Sequence, residues 1–199
     1  MTFTGHQCSL LIMDFKKQLN GMNAIGTSLK DAYLITNNKF EDERGFFLES
    51  FNLREFEKIT GVSNFVQDNH SKSSKGVLRG LHYQIQHAQG KLVRCISGAV
   101  YDVIVDLRKS SPTFGKWYGV ELNRNNLHLW VPPGFAHGFY TLTDTAEFVY
   151  KTTDYYHPEY DRTLLWNDKD LGINWGDIQP VLSLKDQDGK SFAECDKYE

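Results

Sequence analysis

Apolar and polar residues alternate with a period of two along much of the chain, most clearly in residues 101–108, 127–131 and 146–151. This period is typical of β-strands, because successive side chains of a strand point to opposite faces of the sheet. In the first run one face is much more polar than the other, since it carries Asp102 and Asp106. The pattern therefore predicts strands with two unlike faces.

Turn-forming residues separate the predicted strands at short intervals, at 97–98, 110–112, 123–126 and 143–144. Many short strands joined by regular turns predict an all-β fold, either a sandwich or a barrel. The pattern alone leaves both architectures open. Late in the chain, the apolar stretch 181–184 is expected to pack back against the core.

One helix interrupts the strand pattern. Asn52 can cap its N-terminus, and Leu53, Phe56 and Ile59 form a narrow apolar stripe at helical spacing. Gly61 is placed to end it. We expect a short helix that packs on the sheet and carries no chemistry.

Composition excludes several classes of protein. A net charge of −3, from 22 basic and 25 acidic residues spread along the 199, leaves no basic block for nucleic acid. No apolar run is long enough to span a membrane, and no signal-peptide pattern is present. Three cysteines without paired spacing favour free thiols in a reducing compartment, so we expect a cytoplasmic protein.

The chain length suits a single domain, which we place at residues 22–199. Residues 1–21 show no clear period and are interpreted as an N-terminal extension of unknown role. A mobile arm, an additional edge element and an incorrectly assigned start codon are all compatible with this segment.

The stretch Gly76–Gln84 carries the most suggestive chemistry. Arg79 and His82 lie in an apolar, strand-like run, and Lys91 follows on the next run. Burying such groups is costly unless they have partners, so together they indicate a ligand pocket. Arg79 and His82 are three positions apart and would point to opposite faces of a regular strand. Both can face one pocket only if the strand bulges, and Gly80 is where a bulge is least costly.

Six motifs resemble the dTDP-4-dehydrorhamnose 3,5-epimerases in order and spacing: residues 67–71, 78–84, 89–94, 112–115, 133–139 and 150–156. The resemblance extends from about Met22 to about Asp186. It implies a cupin-type jelly-roll barrel with a few short peripheral helices. It also implies epimerisation of dTDP-4-dehydro-6-deoxy-D-glucose at carbons 3 and 5, without a cofactor, on the way to dTDP-L-rhamnose.

Epimerisation beside a ketone needs a base that removes a proton from the carbon, a cation or hydrogen-bond donor that stabilises the enolate, and an acid on the opposite face of that carbon. The resemblance assigns the base to His82, with Asp186 as the carboxylate that orients it. It assigns enolate stabilisation to Lys91 and the acid to Tyr150. The sequence alone would not have identified Asp186, because only the fold can bring it near His82.

Eight further residues are implied to bind the substrate. Arg79 suits a diphosphate because its planar fork donates two hydrogen bonds at once, and Tyr155 could stack on the thymine. Gln67, Asn69 and His137 complete the set within one chain. The last three, Arg44, Phe47 and Glu49, lie on a strand that crosses to a neighbouring subunit in the resembling family, which implies a homodimer with shared active sites.

A metal is not expected in this pocket. Metal-binding cupins often use two histidines one residue apart, but here the segment is His82-Tyr83-Gln84. Lys91 lies near the position of the usual glutamate, and a fixed ammonium repels a divalent cation. His82 and His137 alone are fewer than the three protein ligands that a zinc site normally needs.

Three alternative functions remain open on the sequence. The first is an epimerase that inverts only carbon 3 or carbon 5 of a related dTDP-4-keto-6-deoxyhexose. The second is a metal-dependent cupin dioxygenase or isomerase. The third is a sugar-binding module without turnover, although binding alone needs no base and acid on opposite faces.

Overall fold

The computed structural model describes residues 17–18, 21–123 and 126–199. The strands are β1 Lys17–Gln18, β2 Met22–Gly26, β3 Tyr33–Asn37, β4 Lys39–Asp42, β5 Gly45–Leu48, β6 Gln67–Ser74, β7 Leu78–Gln84, β8 Lys91–Ser97, β9 Ala99–Asp106, β10 Trp117–Asn123, β11 Leu127–Val131, β12 Phe135–Thr141, β13 Thr145–Thr152 and β14 Asp161–Thr163. The helices are α1 Leu53–Thr60 and α2 Leu184–Gln187, with a 3₁₀ turn at Pro158–Tyr160.

Two antiparallel sheets face each other. The larger has the order β1-β2-β3-β11-β8-β13-β6 and the smaller the order β10-β9-β12-β7-β14, while β4 and β5 form a separate hairpin. From β6 to β13 the chain passes between the sheets in the order of a jelly roll, with β6, β8, β11 and β13 in one sheet and β7, β9, β10 and β12 in the other. The predicted all-β jelly roll with few short helices is confirmed, and its two sheets do not close into one continuous barrel.

The main core lies between the two sheets. Val93, Leu129 and Phe148 of the large sheet pack there against Ile104 and Phe139 of the small sheet. Alternation places the other side chains of each strand on the outer faces. The strand β9 shows the consequence, because its polar face is the inner one and carries the fully buried Asp102.

The helix α1 covers part of the outer face of the large sheet. Phe56 and Ile59 are buried in a cluster with Trp130 of β11. The Asn52 side chain accepts hydrogen bonds from the first turn of the helix, and Gly61 ends it in a left-handed conformation at φ 76°. The helix predicted from the sequence is therefore confirmed at both ends.

The C-terminal segment covers the outer face of the small sheet, in a cluster that contains Trp175 and Cys195. Its apolar stretch docks mainly through its backbone: Val181 N donates to Gly76 O at 2.8 Å, and Leu78 N donates to Val181 O at 3.1 Å. Only Leu182 packs against the core, because Val181 and Leu184 remain 61% and 81% exposed. The two backbone hydrogen bonds place the start of α2 beside β7. The segment thereby brings residues near position 186 to the middle of the fold.

The predicted N-terminal extension lies almost entirely outside the described residues. Lys17 and Gln18 pair with Ala24 and Asn23 and so add a short edge strand to the large sheet. Among the residues that the structure describes, no helix has the length and apolar character needed to cross a membrane.

Candidate active site

A cavity of about 520 Å³ opens between the two sheets. Its walls come from β7 and β12 of the small sheet, from β8 and β13 of the large sheet, and from the start of α2. The structure brings six of the twelve predicted site residues together around it: Arg79, His82, Lys91, His137, Tyr150 and Asp186.

A bulge in β7 allows Arg79 and His82 to face the same cavity. In the pairing with β12, His82 lies opposite His137 and Arg79 lies opposite Phe139, so β7 has one residue more than its partner between these points. Gly80 adopts φ +115°, and a Cβ there would lie 2.6 Å from the Cα atom of Gly138. Only glycine fits such a close backbone approach, and the predicted bulge is confirmed.

His82 is paired with a buried carboxylate. Its Nε2 lies 2.7 Å from Oδ1 of Asp186, at ion-pair distance although the ring N–H is not well aligned with the oxygen. Asp186 also accepts hydrogen bonds from Gly80 N at 3.1 Å and from Ser183 Oγ at 2.6 Å. Burial opposes ionisation of Asp186, but the contacts with His82 and Ser183 bring its pKa down to about 2. Asp186 is therefore an anion at neutral pH.

The imidazole of His82 is neutral at neutral pH. Burial lowers its pKa below the ordinary value, and the contact with Asp186 opposes part of this effect. Because Nε2 faces the carboxylate, Nδ1 remains as the nitrogen that can accept a proton. The arrangement has the properties of a general base with an orienting carboxylate.

Lys91 and a second histidine–carboxylate pair lie beside His82. Lys91 Nζ donates to the backbone oxygen of His82 at 3.4 Å, and burial lowers its pKa to about 8. His137 Nε2 donates to Oδ2 of Asp102 at 2.9 Å, and both residues are buried. Burial raises the pKa of Asp102, while His137 opposes this. The pocket therefore holds a cationic donor, Lys91, beside an imidazole whose Nε2–H is donated to Asp102.

Tyr150 lies on β13 of the large sheet, whereas His82 lies on β7 of the small sheet. Both line the same cavity, so a ligand between the sheets would meet them from opposite sides. Burial raises the pKa of Tyr150, which keeps the phenol protonated at neutral pH. Tyr150 shares the inner face of β13 with Phe148, as the alternation predicted.

Three predicted binding residues lie outside the lining of the cavity. Gln67 Nε2 donates to Asn69 Oδ1 at 3.0 Å on the edge strand β6, where Asn69 lies opposite Tyr150 in register. Tyr155 is 59% exposed and does not line the cavity, whereas the neighbouring Tyr156 does. The sequence offered no signal to choose between these two adjacent tyrosines.

The remaining three predicted residues lie on or beside the β4–β5 hairpin and do not line this chain's cavity. Arg44 pairs with Asp42, and Phe47 is 70% exposed. Glu49 accepts a hydrogen bond from the Asn52 side chain at 3.1 Å.

Several polar residues that line the cavity were not among the predicted set, and they include Tyr156, Asp161 and Lys185. Asp102 was not predicted either, and it reaches the cavity through His137. Asp161 accepts hydrogen bonds from Tyr156 Oη at 2.8 Å and from the Lys185 ammonium. The polar face of β9 was a sequence signal for Asp102. No comparable sequence pattern pointed to Asp161 or Lys185.

In the described part of the chain, the candidate metal ligands lie outside the cavity. That part contains one group of three or more histidine, cysteine or carboxylate side chains with donor atoms within 4.8 Å of one another, namely His87, Asp154 and His157. These residues do not line the cavity. The two pocket histidines, His82 and His137, each face a carboxylate instead.

Comparisons with known proteins identify the family. The family model described as dTDP-4-dehydrorhamnose 3,5-epimerase matches residues 26–194. The dTDP-4-dehydrorhamnose 3,5-epimerase of Shigella flexneri is 56% identical over 180 residues, which cover 89% of this chain and 99% of that protein.

Solved structures show the same similarity. The dTDP-6-deoxy-D-glucose-3,5-epimerase of Legionella pneumophila, in complex with dTDP-4-keto-L-rhamnose, has a TM-score of 0.84 at 50% identity and covers 88% of this chain and 95% of its own. A 3′-monoepimerase of Streptomyces bikiniensis, in complex with dTDP-quinovose, has a TM-score of 0.79 at 35% identity. The match covers 84% of this chain and 86% of that one. The chain belongs to the dTDP-4-dehydrorhamnose 3,5-epimerase family.

Proposed function

We propose that the chain epimerises dTDP-4-dehydro-6-deoxy-D-glucose at carbons 3 and 5 by proton transfer through an enolate. The observation that carries the proposal is the placement of His82 and Tyr150 on opposite sheets of one cavity, with Lys91 beside His82. A base on one side and an acid on the other invert a carbon, whereas a single group on one side returns the proton to the face it left.

In the first step, neutral His82 takes a proton from a carbon beside the ketone. The carbon–hydrogen electrons form the enolate, and the ketone oxygen becomes negative. The imidazolium that results lies next to the Asp186 anion, which stabilises it. The Lys91 ammonium is placed to stabilise the enolate oxygen, while His137, whose Nε2–H is donated to Asp102, lies beside it as a residue that positions the substrate.

In the second step, Tyr150 donates its phenolic proton to the opposite face of the same carbon, and the ketone forms again. His82 then releases its proton, and Tyr150 is reprotonated from solvent. Carbons 3 and 5 both flank the ketone at carbon 4, so one set of enolate-stabilising groups serves both inversions. No metal or organic cofactor is required by these steps.

In binding the nucleotide, Arg79 is assigned to the diphosphate because it lines the cavity and its planar guanidinium can donate two hydrogen bonds at once. Tyr156 replaces Tyr155 as our candidate for stacking on the thymine, since its ring lines the cavity and its hydroxyl is held by Asp161. Gln67 accepts a hydrogen bond from Tyr156 N at 3.2 Å and would act at the rim.

We also propose that the protein is a homodimer whose two chains share their active sites. We place it in the cytoplasm and propose neither nucleic acid nor membrane as a partner. Phe40, Phe46 and Phe47 expose 63%, 64% and 70% of their surface on the β4–β5 hairpin, which is unusual for three neighbouring aromatics. Arg44 does not line its own chain's cavity. In a two-fold dimer the same hairpin would bring Arg44, Phe47 and Glu49 to the cavity of the partner.

Mixed dimers test this shared site. Arg44→Ala and His82→Ala are each expected to be nearly inactive as homodimers. When they are refolded together, about half of the dimers are mixed, and one of the two sites in each has both residues intact. About a quarter of wild-type activity should therefore return.

If Arg44 serves its own subunit, mixing restores nothing, because no site then has both residues. Arg54→Ala, which removes an exposed arginine on α1, is the matched control and should keep full activity. An active Arg44→Ala homodimer would contradict the assignment of Arg44 to the site.

Deuterium exchange tests the reaction itself. Incubation of dTDP-4-keto-6-deoxyglucose with the protein in D₂O, followed by NMR, should show deuterium at both carbons beside the ketone. Label at one carbon only would favour the second candidate, a single-centre epimerase, which is motivated by the similarity to the 3′-monoepimerase. Absence of label at either carbon would exclude this reaction class.

A further inference from the structure

Two loops beside the active-site cavity are held together by one buried amide. Gln84 is only 3% exposed. Its Nε2 donates to the backbone oxygens of His87 at 2.8 Å and Tyr155 at 3.1 Å, and its Oε1 accepts from His157 N at 2.6 Å. The backbone on both sides is therefore fixed, and the two histidines meet because of this bridge.

Their side chains form a cluster with carboxylates. His87 Nδ1 lies 3.2 Å from Asp154 Oδ2, and Asp154 Oδ1 is held by Tyr155 N at 2.8 Å. The rings of His87 and His157 stack with their centres 4.2 Å apart. His157 Nδ1 lies 3.5 Å from Glu159 Oε1.

His87 has φ +53°, a left-handed conformation that is uncommon for residues other than glycine. Such a conformation is strained and persists only where the surroundings impose it. Here the bonds of Gln84 impose it, and they hold the imidazole against Asp154.

We propose that His87, Asp154 and His157 bind a divalent transition-metal ion of the zinc type at the rim of the cavity. Two imidazoles and a carboxylate favour zinc, nickel or cobalt over magnesium or calcium, which prefer oxygen ligands alone. The donor atoms of the three side chains already lie within 4.8 Å of one another.

The spacing of the donors suits tetrahedral coordination. Zinc bonds of about 2.1 Å place neighbouring ligand atoms about 3.4 Å apart. The separation of 3.2 Å between His87 Nδ1 and Asp154 Oδ2 is close to this distance. The His157 ring must turn out of its stack on His87 to complete the site, and Glu159 or water supplies the fourth ligand.

This ion would stabilise the rim and take no part in the chemistry. The three ligands do not line the cavity, but the segments that carry them include Gln89 and Tyr156, which do. A bound ion ties these segments together in the folded state only. Zinc is therefore expected to raise the melting temperature while the chelator-treated protein keeps its turnover.

Calorimetric titration of zinc chloride into the chelator-treated full chain tests the site. One ion per chain should bind, and the binding should be lost in His157→Ala and in His87→Asn. Asparagine is chosen at position 87 because it tolerates left-handed φ. His70→Ala is the matched control, since His70 is an exposed histidine paired with Glu147, and it should bind zinc like the unaltered chain. Cobalt should give the intense visible bands of a tetrahedral site only in chains that bind zinc.

The proposal fails if no saturable binding occurs, or if His157→Ala and His87→Asn bind zinc as tightly as the unaltered chain, which would indicate an adventitious ion only. Turnover that is lost on chelation and restored by zinc would also overturn it, because the ion would then act in the chemistry. The calorimetric result does not depend on turnover, so it is independent of the proposed epimerase activity.

Discussion

Replacing Asp186 by Asn removes a single charge from beside the base and preserves most of the surrounding contacts. The Asp186 oxygens accept from Gly80 N and from Ser183 Oγ. An asparagine can keep its oxygen toward Gly80 N and donate its amide to the Ser183 hydroxyl. The fold and the orientation of His82 should therefore survive the change, whereas the attraction between imidazolium and carboxylate is lost.

The size of the effect follows from the distance between the two groups. His82 Nε2 and Asp186 Oδ1 are 2.7 Å apart. At an effective dielectric constant of about 20, opposite unit charges at that distance attract by about 6 kcal/mol. If about half of the positive charge has developed on His82 in the transition state, the loss is about 3 kcal/mol, or roughly a hundredfold in rate.

The assay is deuterium exchange at the two carbons and kcat/KM, each measured as a function of pH. The base must be neutral, so activity falls as the pH drops through the pKa of His82. The Asp186 carboxylate favours the protonated imidazole and so raises the pKa of His82. Replacement of Asp186 by Asn therefore lowers the pKa of His82. The acid limb of the profile should therefore move to lower pH in Asp186→Asn, while the plateau falls.

Asp188→Asn makes the same charge change at an exposed position two residues away and should alter neither the plateau nor the limb. Because the pKa of Asp186 is about 2, its own titration does not contribute over the range of the assay. A plateau within twofold or so of wild type, or an acid limb that stays in place or moves to higher pH, would refute the role given to Asp186.

Two further predictions concern the other reacting groups. Lys91→Gln should reduce turnover by about 10²–10³, the usual cost of one oxyanion donor. In the unaltered chain kcat/KM should fall above about pH 8, where the buried ammonium loses its proton, and this limb should be absent from Lys91→Gln. Tyr150→Phe should preserve proton exchange better than product formation, because the acid acts after the base; equal loss of both would contradict its assignment.

Elements set by local rules were predictable from the sequence. The alternation of β9 and β13, the caps of α1 and the bulge at Gly80 each depend on a few neighbouring residues. The bulge is the most informative case, because the odd spacing of Arg79 and His82 required it if both were to face one cavity. Once the bulge forms, Arg79 and His82 both face the cavity.

Elements set by distant contacts were not predictable from local patterns. Asp186 lies 104 positions beyond His82, and the bonds of Val181 to β7 place it there. Tyr155 and Tyr156 are adjacent and chemically alike, so only the direction of the chain after β13 decides which one faces the cavity. Asp161 gave no sequence signal, since its partners are likewise set by the fold.

The two histidine–carboxylate pairs of the cavity differ in their surroundings, and this difference supports the different roles proposed for them. The His82 side chain is 29% exposed and that of His137 only 8%. The contacts with His82 and Ser183 overcome the effect of burial and lower the pKa of Asp186 to about 2, whereas burial raises the pKa of Asp102. The first pair therefore offers an accessible base beside a permanent anion, which suits repeated proton transfer. The second is enclosed, with His137 donating to Asp102, and suits a fixed imidazole that orients the substrate without exchanging protons.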